Sequence, residues 1–173
     1  MAKLFTDGNK HNELADEVIN ASTKALSYFF EECQEAIRTK DISAVELYLF
    51  YLCQTWFLLK SHILEMGADQ NDQMVLFGTI IHKFCNRAAS LTFSKNLAAE
   101  NNNLDFWGQE LKKNLIFYQQ IANEGGVAEL MQVAYNKIIK SDDQDFQSAT
   151  GKAFLASAYI ASVHIEEKLE ELM

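Results

Sequence analysis

The sequence predicts an all-α fold: a single-domain antiparallel helical bundle of five to six helices spanning residues 1–173, with helix 42–66 at its centre. Three observations carry that expectation. Not one of the 173 residues is proline, where average usage would place about eight, and proline is the residue that interrupts helix interiors. Apolar residues recur at alternating steps of three and four, the spacing of an amphipathic helix. The glycines fall mostly between those runs, and no β-rich run is bounded by turn residues on both sides.

The elements follow in order. A first helix is predicted over 10–38 from the stripe Ala15, Ile19, Ser22, Leu26, Phe29, Cys33 and Ala36. Asp41 is the expected N-cap of the second, 42–66, where Val45, Leu49, Leu52, Trp56, Leu59, Ile63 and Met66 form an unbroken series. Further apolar rows leave only a narrow polar edge at Glu46, Gln54, Lys60 and Ser61. A helix apolar nearly all round is one surrounded by other helices. Gly67 suits the left-handed residue after it.

Asp72 is the expected cap of a third helix, 73–95, with Met74, Phe77, Ile81, Phe84, Ala88 and Leu91 facing inward. The run Glu100 to Asn103 breaks the chain before a fourth, 103–123, which Gly125-Gly126 ends; a shorter fifth covers 127–140. The last, 145–172, carries Leu155, Ala158, Ser162, Ile165, Leu169 and Leu172 as its stripe. Short connections between long helices predict an up-and-down bundle.

Composition narrows the function classes. A formal charge of −9, from 24 acidic and 15 basic residues with no basic cluster, argues against nucleic acid, whose phosphates call for clustered Lys and Arg. Leu47 to Leu59 is the most apolar stretch, but its 13 residues fall short of the ~20 a membrane-spanning helix needs, so no membrane partner is expected. Cys33, Cys53 and Cys85 are odd in number and far apart, the pattern of reduced thiols. With no apolar signal segment in residues 1–7, the expected location is cytoplasmic.

Candidate chemistry is sparse. His62 with Glu65, and His164 with Glu167, sit three residues apart, a spacing that places two side chains together on one helix face. Two ligands fall short of a metal site, which needs at least three, so no metal is assigned and His62 and Glu65 stand only as weak candidates. The face of the last helix carrying Ala153, Ser157, Glu167 and Glu171 reads as exposed. His82 and Cys85 have the spacing of a Cys–His pair, read more simply as a boundary residue beside a core one. Asp142-Asp143-Gln144-Asp145 reads as an acidic cap region, since no phosphate-binding loop accompanies it. No cofactor is expected, and no nucleophile, base and orienting group converge by spacing, which argues against an enzyme.

Two function classes remain. The first is a non-enzymatic interaction or regulatory bundle, an adaptor, inhibitor or regulator whose partner is another protein or a second copy of the chain. Its candidate surface is the acidic C-terminal helix, with Ile165, Glu166, Leu169, Glu170 and Leu172. The alternative is a bundle holding a metal pair or apolar small molecule between its helices, with Tyr48, Tyr51, Trp56 and His62 as candidate lining.

Overall fold

The computed structural model describes residues 8–40, 42–90, 104–140 and 146–172. Six helices lie among them: α1 (Gly8–Glu32), α2 (Gln34–Lys40), α3 (Ala44–Glu65), α4 (Gln70–Ser90), α5 (Leu104–Ile139) and α6 (Ala149–Leu172). The fold is an all-α helical bundle. The predicted first helix divides at Cys33 into α1 and α2, although the bonds from Cys33 N to Phe29 O and from Ile37 N to Cys33 O carry the helical pattern across the division.

Helix ends differ from expectation in which side chains hold them. Asp41 lies outside the described residues, and α3 is capped by Ser43, whose hydroxyl accepts from the Glu46 amide. At α4 the cap is Asp69, not Asp72. Asp69 Oδ1 accepts from the Asp72 amide at 2.9 Å and Asp72 Oδ2 accepts from the Asp69 amide at 3.1 Å. This is a reciprocal capping box built from two aspartates. Gly67 behaves as predicted: at φ +85° it donates to Leu64 O, while Ala68 donates to Ile63 O. Both bonds belong to a Schellman motif. The last helix begins at Ala149, with the Ser148 hydroxyl accepting from the Gly151 amide; residues 141–145, including the acidic run, lie outside the described residues.

The fourth and fifth predicted helices are the two arms of α5. They meet at Gly126, whose φ of 76° and ψ of −170° are non-helical, and the arms fold side by side, Lys137 of the second reaching Asn114 Oδ1 of the first at 3.2 Å. That backbone region is essentially closed to residues with a Cβ, at about 1–3 kcal/mol when forced. Gly126→Ala is therefore expected to lose about 1–3 kcal/mol in urea unfolding. Gly78→Ala, on a helix with nothing within 4 Å of the added methyl, is expected to gain roughly 0.5–1 kcal/mol. Equal stability of the two variants would refute this account of the turn.

Helix directions alternate along the chain. Trp56 and Tyr48 of α3 meet Phe77 and Phe84 of α4 in reverse order. In α1 and α6, Glu17 pairs with His164 and Phe29 with Phe154, again antiparallel. α1 and α4 run the same way, joined by His11–Asp72 and Asp16–Lys83. α1 packs most extensively on α6 and also covers α3 and α4, while α3 is flanked by α1, α5 and α6. Every residue of α3 from Leu47 to Cys53 is buried, as its all-round apolar character predicts.

Two predicted faces hold in part: Phe77, Ile81 and Phe84 of α4 and Ala158, Ile165 and Leu169 of α6 pack in the core, and one predicted position on each does not. Met74 is 60% exposed, while Leu76, Ile80 and Phe84 of α4 are fully buried. On α6, Leu155 is 38% exposed, whereas Ala153 and Ser157, read as exposed, are buried beside Phe154, Ala158 and Ala161. Gln54, placed on a polar edge, is half-buried and donates to Ala158 O and the Ser162 hydroxyl of α6. Among the described residues no helix is long and apolar enough to cross a membrane.

Candidate functional site

The antiparallel contact of α1 and α6 builds a polar network inside an acidic edge. His164 is 9% exposed and turns toward α1, away from Glu167. Its Nε2 lies 2.7 Å from Glu17 Oε2, and its Nδ1 lies 2.9 Å from Lys24 Nζ. An ammonium only donates and a carboxylate only accepts, so the two bonds select the tautomer protonated at Nε2. Both ring nitrogens are then committed, and neither is left for a substrate proton or a metal. The network positions; it has the wrong economy for a general base.

Around it the surface is acidic. Glu13 lies one turn before Glu17 on α1 and is exposed, as are Glu167 and Glu171 on the facing turns of α6. Lys168 sits among them: hydrogen bonding and charge from Glu171, then the charges of Glu17 and Glu167, push its ammonium above the usual lysine range. The same carboxylates therefore act together on one point. Beside the network a shallow cleft of about 230 Å³ is lined by Lys24, Tyr159, Ile160, Val163, His164 and Glu167. Tyr159 stands 71% exposed at its rim.

The other sequence candidates are dispersed. His62 Nδ1 bonds Leu58 O of its own helix at 2.9 Å, and Glu65 is exposed. Tyr48 stacks on Phe84, Trp56 tilts against Phe77, and Tyr51 bonds the Ser157 hydroxyl. All three rings are buried in core contacts. His82 is exposed beside Asn86, while Cys85 is buried. Among the described residues no group of three or more His, Cys, Asp or Glu can hold a metal ion. On the C-terminal helix Ile165 and Leu169 are buried within the bundle, so what they were expected to offer a partner is already packed. Glu166 and Glu170 remain exposed, and the side chain of Leu172 lies outside the described residues.

The Glu17–His164–Lys24 network escaped sequence reasoning because His164 lies 147 and 140 residues from its two partners. A faint signal existed: Glu17, Lys24 and the fully buried Ala21 between them share one helical row. Compared with protein-family models, curated proteins and solved structures, the chain shows no significant match. Fold and surface together define an all-α bundle with an acidic α1–α6 edge.

Proposed function

We propose that the protein is a non-enzymatic interaction module, an adaptor or regulator, that docks a cationic segment of another protein along the α1–α6 edge. The observation that carries this reading is the gathering of Glu17, Glu167 and Glu171 around Lys168, with Glu13 exposed one turn before Glu17 and the ring of Tyr159 exposed at the rim of the cleft that Glu167 also lines. Opposite charge steers association and fixes register, and tyrosine is among the residues that most often anchor interfaces. A second copy is a poor occupant of this edge, because two acidic surfaces repel. The three cysteines, all buried and none of them in a disulfide, fit work in the reducing cytoplasm.

The test is affinity capture from the protein's own lysate with the wild type and with Glu13→Gln/Glu167→Gln/Glu171→Gln/Tyr159→Ala. None of these positions contributes to the core. The wild type is expected to retain a basic protein that the variant loses and that added salt releases, since salt screens exposed charge. Capture of the same proteins by both chains, or of none by either, would overturn the reading.

A further inference from the structure

A second recess lies on the other side of the bundle, between the start of α3 and the two arms of α5. It has a volume of about 510 Å³, within the range of pockets that enclose small ligands. Its apolar wall includes Leu49, Trp107 and Phe117, and its polar lining includes Glu46, Asn114 and Lys137. We propose that this cleft binds a small aromatic monocarboxylate, with Lys137 receiving the carboxylate and Trp107 and Phe117 bounding the ring.

Lys137 carries the argument. Its ammonium is held by Asn114 Oδ1 at 3.2 Å and faces the rings of Phe117 and Tyr118, 4.8 and 5.4 Å from their centroids. Asn114 is itself 7% exposed and anchored by its amide to Glu110 O at 2.9 Å. These partners orient the lysine without neutralising it. Among the described residues no carboxylate forms an ion pair with Lys137, whereas the neighbouring Lys113 is matched by Glu110 at 3.7 Å. In a chain of net charge −9, a cation held by a buried amide beside an aromatic recess, with no carboxylate in an ion pair with it, selects an anion with an apolar body. A charge-assisted bond is the strong kind of polar contact available to it. Glu46 in the same lining restricts the ligand to a single negative charge, since a doubly charged group would meet its carboxylate. This cleft and the acidic edge use different residues, so each stands or falls alone.

The experiment is an amide NMR titration of the full chain with indole-3-acetate, and with indole as the probe lacking a carboxylate. Saturable shifts are expected at the Trp107 indole N–H and the Asn114 side-chain amide. The indole N–H of Trp56, packed on Phe77 in the α3–α4 contact, serves as the internal control and should stay still. Lys137→Gln, at an exposed position, keeps a donor for Asn114 and removes the charge. It should weaken indole-3-acetate by about tenfold while leaving indole within about twofold, the difference expected of one charged contact. Lys137→Met serves the same purpose should the glutamine variant misfold. No saturable shift at millimolar probe, shifts centred elsewhere, or equal binding by wild type and variant would each overturn the proposal.

Discussion

Phe154→Ala is expected to cost about 3–5 kcal/mol, the range for removing a buried phenyl ring. Phe154 is fully buried on α6 and stands where four parts of the chain converge. It stacks on Phe50 of α3 at 5.3 Å, meets Phe29 of α1 edge-on at 6.4 Å, and lies 5.3 Å from Tyr135 on the second arm of α5. Phe146, just before α6, stacks on it at 6.4 Å. Truncation removes the ring's own burial and strands one side of each pair, and the fixed backbones of several helices limit collapse into the void. For a chain of this size the loss corresponds to roughly 6–20 °C in Tm. Leu155→Ala, one residue on and 38% exposed, should cost less than about 1 kcal/mol. Equal costs in paired urea titrations would show that the aromatic cluster is not the keystone of the bundle.

The contrast between these neighbours also explains what the sequence made legible. Leu155 was placed inward because a leucine at helical spacing resembles core, while Ser157 was placed outward because serine resembles surface. The structure reverses both. Gly151, Ala153, Ser157 and Ala161 of α6 are all buried, and their small size lets neighbouring helices approach; hydropathy has no term for that. Ser157 is satisfied internally, donating to Phe154 O and pairing with the Tyr51 hydroxyl, so its polarity carries no outward preference. α3 was legible because it is apolar on every side, and no choice of face could be wrong. On α4 the stripe through Phe77, Ile81 and Phe84 packs on the core as its spacing predicts, but Met74 is exposed and the row one step round, Leu76 and Ile80, is fully buried.

The candidate site was less legible than the fold, for a physical reason. Charge and helix period predict that acidic residues lie on surfaces; they do not predict which two surfaces meet. Glu17 and Glu167 become neighbours of Lys168 only because α1 and α6 pair in antiparallel register, which helix period and charge do not specify. His164 follows the same logic. Its neighbour in sequence, Glu167, was the visible partner, and the bundle supplied Glu17 and Lys24 in its place.

Alkaline unfolding is expected to be early and steep, because this core holds several acids that ionise only at high pH. Burial raises the hydroxyls of Tyr51 and Tyr118 above the ordinary tyrosine value of 10.0 and the thiol of Cys53 above the ordinary cysteine value of 9.0. Tyr48 and Cys33 move the same way, chiefly through burial. Below about pH 7.5 all of these groups are protonated in both folded and unfolded chains and contribute no dependence of stability on pH. As pH rises through the unfolded values, the unfolded chain releases protons that the folded chain keeps. It then binds fewer protons than the native state, and stability must fall with pH. Each such group contributes a slope of up to about 1.4 kcal/mol per pH unit, so Tyr51, Tyr118 and Cys53 together reach about 4 kcal/mol per unit above pH 10. Against a total stability of about 5–15 kcal/mol, a slope of about 4 kcal/mol per unit places unfolding above roughly pH 11 at room temperature. The measurement is tyrosinate absorbance against helical circular dichroism through a pH titration. Ionisation of Tyr48, Tyr51 and Tyr118, which burial raises, should coincide with loss of helix. Tyr51→Phe should flatten the slope by about one group's worth. Ionisation of the buried phenols with the helices intact would mean that water reaches the centre of the bundle, and the packing described around Phe154 would then be wrong.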